Sequence, residues 1–262
     1  MRWGFVTAVA AIAVTGACTT AHTRDATTPA PALAATSAQL ADSHTTFRVR
    51  TEQRSTVVSA PGRGQLIIPG RYLLPVISAD GALGGLSQDG RTLALTSAAH
   101  TPTSRFALVD TALDRPATFV QLTGEFSFDA LSRSGSMLFL VQHLPPANSG
   151  RYSVRVYDVA RRELQPAPVV DKQELETVMS GYPMARATSR SGTWVFTLYR
   201  GTEHPFVHAL NVDNAYAICV DLPRTGRPGG SWKLTLAADG GTLHAVHDGV
   251  AATVDARQFT AA

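Results

Sequence analysis

The residues whose types could support chemistry are scattered along the chain. His100, His143 and His204, with Arg200, Glu203, Glu174 and Glu176, are a set that can bind a metal, an anion or a peptide carboxylate. No pair among them has the His-x-x-x-His spacing that places two imidazoles on one helical face, so the alternative is a solvated set of loop ends. His244 and His247 are three apart in a strand-like segment, which points them to opposite faces and excludes a chelating pair. Cys219 sits in Ala217-Ile218-Cys219-Val220 and reads as an inert, buried thiol. Ser87 and Ser132 lack the Gly-x-Ser-x-Gly surround of a nucleophile elbow. No catalytic, metal or cofactor motif emerges, so the expectation is no cofactor and no assigned catalytic residue.

The elements that must position these residues are set by a recurring motif. Leu86-Ser87-Gln88-Asp89-Gly90-Arg91-Thr92-Leu93 returns as Leu131-Ser132-Arg133-Ser134-Gly135-Ser136-Met137-Leu138, as Thr188-Ser189-Arg190-Ser191-Gly192-Thr193-Trp194-Val195 and as Leu236-Ala237-Ala238-Asp239-Gly240-Gly241-Thr242-Leu243. In each copy a glycine supplies the positive φ of a tight turn between two apolar segments, which predicts strand, turn, strand. By subtraction the glycines fall at intervals of 45, 57 and 48 residues, a period that points to a stacked or radial repeat. Third strands are expected in 105–109, 152–159 and 206–212, and fourth strands in 117–122, 164–170 and 215–222.

These repeats resemble those of WD-repeat-like and TolB-like β-propellers, in which a Ser-x-Asp-Gly turn joins the first two strands of a blade; the Trp-Asp dipeptide of true WD repeats is absent. The resemblance covers about 65–259. It implies an all-β fold, a β-propeller of about four four-stranded blades or an open partial propeller, with the strand at 72–77 completing the last blade. It also implies a rim formed by the loops between second and third strands and between blades. His100, His143, Arg200, Glu203, His204, Glu174 and Glu176 would gather there. Asp129 and Arg186 each precede the motif glycine by six residues in adjacent units. They are expected either as an ion pair between neighbouring first strands or as part of a ligand channel.

The longest interval contains Asp171-Lys172-Gln173-Glu174-Leu175-Glu176-Thr177-Val178-Met179-Ser180-Gly181. Asp171 as N-cap, Glu174 at the capping-box position, an apolar face of Leu175, Val178 and Met179, and Gly181 as terminator predict a short inserted helix over the rim.

The 262 residues carry 23 Lys and Arg against 20 Asp and Glu, a net charge of +3. Dispersed arginines without a basic run argue against a nucleic-acid partner. Residues 1–18 read as an export signal: Arg2, an apolar run from Phe5 to Val14, then Thr15-Gly16-Ala17 before Cys18. Small residues directly before Cys18 resemble a bacterial lipobox, with Thr15 where Leu, Val or Ile is usual, and imply a lipidated Cys18. Residues 19–46, rich in Ala, Thr and Pro, read as a disordered tether, and 47–262 as the propeller. The expectation is an exported lipoprotein at the cell membrane, facing the extracytoplasmic side, that binds an unidentified envelope protein or small ligand without catalysis. The alternative is a propeller enzyme, such as a lactonase-like hydrolase with a metal at the channel mouth.

Overall fold

Each copy of the repeated motif closes into the same turn. Gly90, Gly135, Gly192 and Gly240 have φ of 69°, 74°, 74° and 69°, a region in which only glycine sits without cost. The residue three before the glycine donates its backbone N–H across the turn: Ser87 to the Thr92 carbonyl at 2.9 Å, Ser132 to Met137 at 2.9 Å, Ser189 to Trp194 at 2.9 Å and Ala237 to Thr242 at 2.8 Å. Ser87, Ser132 and Ser189 also accept the backbone N–H of Thr92, Met137 and Trp194 on their hydroxyls. These serines therefore hold the turn.

The computed structural model describes residues 36–261 apart from 42–44, 99–101, 147–148, 174, 176, 224–229 and 248. The described strands form four antiparallel sheets, one of them eight-stranded because two consecutive units pair at an edge, and so divide into five four-stranded units. The first unit comprises Thr36–Ala41 (β1), Thr46–Thr51 (β2), Ser55–Ala60 (β3) and Gly64–Pro69 (β4). The second has Tyr72–Leu73 (β5), Thr92–Ser97 (β6), Thr103–Asp110 (β7) and Thr118–Thr123 (β8). The third has Phe126–Leu131 (β9), Met137–His143 (β10), Arg151–Asp158 (β11) and Glu163–Leu164 (β12). The fourth has Met179–Thr188 (β13), Trp194–Gly201 (β14), Pro205–Asn211 (β15) and Tyr216–Asp221 (β16). The fifth has Trp232–Leu236 (β17), Thr242–His247 (β18), Val250–Asp255 (β19) and Thr260–Ala261 (β20).

Four apolar cores join successive units. Phe47 and Val49 meet Leu93 and Leu95 between the first and second, and Phe106 meets Phe128 and Leu140 between the second and third. Phe139 and Tyr152 meet Tyr199 and Leu210 between the third and fourth, and Phe196 and Leu198 meet Leu234 and Leu243 between the fourth and fifth. Among the described residues no such core joins the fifth unit to the first, so the five units form an open arc. Burial patterns agree with this arrangement. Leu93-Ala94-Leu95 and Leu138-Phe139-Leu140 are wholly buried on both faces of their sheets. In β2, by contrast, Phe47 and Val49 are buried while Arg48 and Arg50 are exposed, and in β18 Leu243 and Ala245 are buried while His244 is exposed. Polar outer faces on the terminal units are what a linear array of repeats needs to stay soluble.

The second unit departs from the others at its inner edge. β5 is two residues long, and 74–85 loop out before Leu86 bridges to Leu93. This loop reaches the inner strand of the fourth unit, where the Ala79 N–H donates to the Pro183 carbonyl at 3.0 Å. A register shift between Pro183 and Ala185 turns that carbonyl out of the β13–β14 ladder.

Several expectations are corrected. Among the described residues the strands total five units rather than four, because 36–69 form a unit that carries no copy of the turn motif. Tyr72–Leu73 open the second unit and do not complete the last, whose fourth strand is Thr260–Ala261. Thr36–Ala41, placed in the tether, pair with β2. The remainder of the tether up to 35, the export signal and Cys18 lie outside the described residues.

The inserted helix is replaced by a turn running into β13. Asp171, 4% exposed, does cap this turn, accepting the Gln173 N–H at 2.8 Å. Its second oxygen accepts the Cys219 N–H of β16 at 2.8 Å. Leu175 then takes φ of 57°, which a right-handed helix cannot continue through. Leu175 is 76% exposed and Val178 37%, so the expected apolar face is not buried. Met179 and Ser180 instead pair with Tyr152 and Arg151 of β11.

Candidate functional site

That pairing of β13 with β11 creates a cavity of about 210 Å³ at the rim between the third and fourth units. Its floor is set by Asp129 on β9 and Arg186 on β13. Arg186 donates from one terminal nitrogen to the Asp129 carboxylate and from the other to the Asp129 main-chain carbonyl. The two side chains are 3% and 7% exposed, a buried ion pair whose fork geometry offsets part of its desolvation cost.

One wall is aromatic. The Tyr152 ring stacks on Tyr199 with centroids 5.1 Å apart, and Tyr199 stacks in turn on Phe206 at 5.2 Å. Burial, then the neighbouring Tyr199, pushes the Tyr152 phenol well above its ordinary range. Burial, then the Asp129 carboxylate, raises Tyr199, with Arg186 opposing. Both phenols are therefore protonated at neutral pH, and the buried Arg186 Nε makes no hydrogen bond to the described residues. Behind this wall His208 of β15 is fully enclosed. Burial lowers its pKa, while Asp129 and Asp171 pull the other way.

Tyr182 forms the outer lip, 44% exposed, with the Arg200 guanidinium 5.4 Å from its ring centre. Gly150 lies beneath it at φ of 71°, and a Cβ there would meet the Tyr182 ring at 3.3 Å. The mouth carries exposed Glu125, His143 and Arg151, with His143 Nε2 2.9 Å from the Ser127 hydroxyl.

Of the rim residues named from sequence, His143 lies at this mouth and Arg200 stands one ring away. Glu203 and His204 lie apart, in a shallow cleft with Met179 and Cys219, where His204 Nε2 is 2.8 Å from Asp221. His100, Glu174 and Glu176 lie outside the described residues. Asp129 and Arg186 both form the ion pair and line the cavity. His247 is buried and stacks on Trp232 with centroids 3.8 Å apart, whereas His244 is exposed on the other face of β18. Cys219 is half-buried. Among the described residues no three His, Cys, Asp or Glu side chains converge as a metal site requires. Sequence reasoning missed Tyr152, Tyr182 and Tyr199; their signal was weak, tyrosines at the rim ends of strands in adjoining units.

Radially arranged four-stranded antiparallel sheets, joined face to face through apolar cores, define a β-propeller, here an open one. Among solved structures the chain is similar to a Dos1 propeller, at 10% identity and a TM-score of 0.50, covering 81% of this chain and 53% of that one. It is also similar to TolB from Acinetobacter baumannii, at 15% identity and a TM-score of 0.44 over 80% of this chain and 48% of that one. A putative TolB from Agrobacterium tumefaciens matches at 10% identity and 0.46, over 82% and 75%. The chain thus spans about half the length of the first two. No protein-family profile matches the sequence, and no curated protein does.

Proposed function

We propose that the chain is a non-enzymatic binding module, exported and held at the cell membrane on the extracytoplasmic side through lipidated Cys18, whose ligand enters the cavity between the third and fourth units. The observation that carries the reading is the cavity itself: an aromatic wall, a charge-compensated floor and a polar mouth of Glu125, His143 and Arg151. Concave sites with apolar walls and a few converging polar groups are where propellers and other folds take ligands. The ligand is a small molecule or the projecting group of an envelope protein. The anchor rests on the residues before Cys18, because two or more acyl chains hold a protein at a bilayer where one does not.

Three experiments test this. A small-ligand panel should raise the Tm of the full-length protein, and Ser127→Trp, which crowds the mouth, should abolish the rise without lowering the Tm of the unliganded protein. Stoichiometric divalent metal in protein purified without chelator would replace this reading with that of a metal-dependent hydrolase. For the anchor, Cys18→Ser should move the protein from the membrane fraction to the soluble one; a variant that still fractionates with membranes contradicts lipid anchoring.

A further inference from the structure

We infer that the shallow cleft bearing Cys219, Met179 and His204 binds one soft monovalent metal ion, Cu(I), between the two sulfurs, with His204 as third ligand. This site is independent of the cavity described above and of the ligand proposed for it. Met179 lies on β13 and Cys219 on β16, the first and last strands of the fourth unit, yet their sulfurs are 3.9 Å apart. Two metal–sulfur bonds of roughly 2.3 Å meeting at about 120° span roughly 4.0 Å, so one ion binds both sulfurs with little movement of either. Both side chains are half-buried and line a cleft of about 240 Å³ together with His204 and Glu203, which gives an ion a path from solvent to the sulfurs.

Ligand type selects the ion. A thiolate beside a thioether is a soft set that favours Cu(I), whereas zinc is bound by thiolate, imidazole and carboxylate, and calcium and magnesium by oxygen. Those harder ions need a convergence of His, Cys, Asp and Glu that the described residues do not provide; the thioether of Met179 is what makes this cleft a soft site. His204 is already oriented for the third position. Its Nε2 lies 2.8 Å from Asp221 Oδ1, so the ring donates that N–H to the carboxylate and keeps the lone pair of Nδ1, the arrangement that fixes the tautomer of metal-binding histidines. Charge agrees with the assignment. Binding releases the Cys219 thiol proton to solvent and puts Cu(I) in its place, so the half-buried site gains no net charge.

The test uses full-length protein and Cu(I) kept reduced by ascorbate, with affinity read from competition against the chromogenic chelator bicinchoninate. Cys18 is present in every protein compared, so differences between them report on the cleft. Cys219→Ser should weaken binding by about a hundredfold or more, and Met179→Leu and His204→Gln by about tenfold or more each. Met179→Leu should do so with the Tm unchanged, because leucine replaces the volume of methionine and removes only the sulfur. X-ray absorption at the copper edge should show sulfur and nitrogen ligands in the wild type and the loss of the nitrogen in His204→Gln. Wild-type affinity in Cys219→Ser or in Met179→Leu overturns the sulfur pair as the site, and wild-type affinity in His204→Gln overturns the assigned third ligand. A spectrum of nitrogen and oxygen alone, or Zn(II) bound as tightly as Cu(I), overturns the soft-metal class. None of these results bears on the cavity between the third and fourth units, whose ligand panel is read without metal.

Discussion

Arg186 crosses from the fourth unit to the third and grips Asp129 by both its carboxylate and its main-chain carbonyl, so the inner strands of two units are tied by one side chain. Removing either partner strands a charge that is almost wholly buried. Asp129→Ala and Arg186→Ala should each cost about 3–5 kcal/mol in urea denaturation. An apolar double replacement, Asp129→Leu with Arg186→Met, should cost less than either, because no charge is then left uncompensated. A double variant as unstable as the sum of the singles would contradict this.

His208 should make stability depend on pH. Its folded-state pKa lies below the usual imidazole value because burial disfavours the cation. As pH falls through about 6.5 the unfolded chain takes up a proton that the folded chain does not, so stability declines by up to about 1.4 kcal/mol per unit until the folded value is reached. Denaturant titrations between neutral pH and pH of about 5 should show this slope in the native protein, and His208→Leu should flatten it. An identical slope in that variant would assign the effect elsewhere.

The motif glycines should differ in tolerance although their φ values match. A Cβ at Gly135 would lie 2.3 Å from Thr92 Oγ1 of the preceding unit, whereas a Cβ at Gly240 meets nothing within 4 Å. Gly240→Ala should cost only the left-handed backbone penalty of about 1–2 kcal/mol. Gly135→Ala should cost distinctly more, since it also forces two units apart. Equal losses in thermal or chemical denaturation would mean that the Thr92 contact yields freely.

The open arc predicts that the outer face of the first unit is solvent. Arg48 and Arg50 stand on that face, and the ion pair of Arg50 with Glu52 at 3.0 Å is exposed on both sides. Arg48→Glu with Arg50→Glu should therefore leave the Tm within a few degrees, since exposed pairs contribute about 0–1 kcal/mol. In a closed ring the same pair of changes would place like or unmatched charges in an interface. A large fall in Tm would argue for closure.

The sequence revealed the units that carry a turn signal and concealed those that do not. Gly90, Gly135, Gly192 and Gly240 need a conformation that few residues tolerate, so their spacing announces four hairpins. The first unit closes through turns that lack the motif glycine, and the role of Phe47 and Val49 becomes legible only where they meet Leu93 and Leu95. The inserted helix was misread because Asp171 caps whatever follows it. The pairing of Met179 and Ser180 with β11 then outweighs the modest propensity of a single helical turn. Asp129 and Arg186 were visible by their equivalent positions in adjacent units. The tyrosines were not, because stacking between Tyr152 and Tyr199 depends on two units meeting face to face.

Fluorine NMR of the full chain with fluorotyrosine at its six tyrosines tests the ligand site most directly. Tyr152, Tyr182 and Tyr199 line the cavity, and Tyr72, Tyr157 and Tyr216 do not. Addition of the panel ligand that raises the Tm most should shift the first three signals in a saturable way and leave the other three in place. Signals that stay fixed at Tyr152, Tyr182 and Tyr199, or shifts confined to Tyr72, Tyr157 and Tyr216, would contradict the assignment of this cavity as the place where the protein binds.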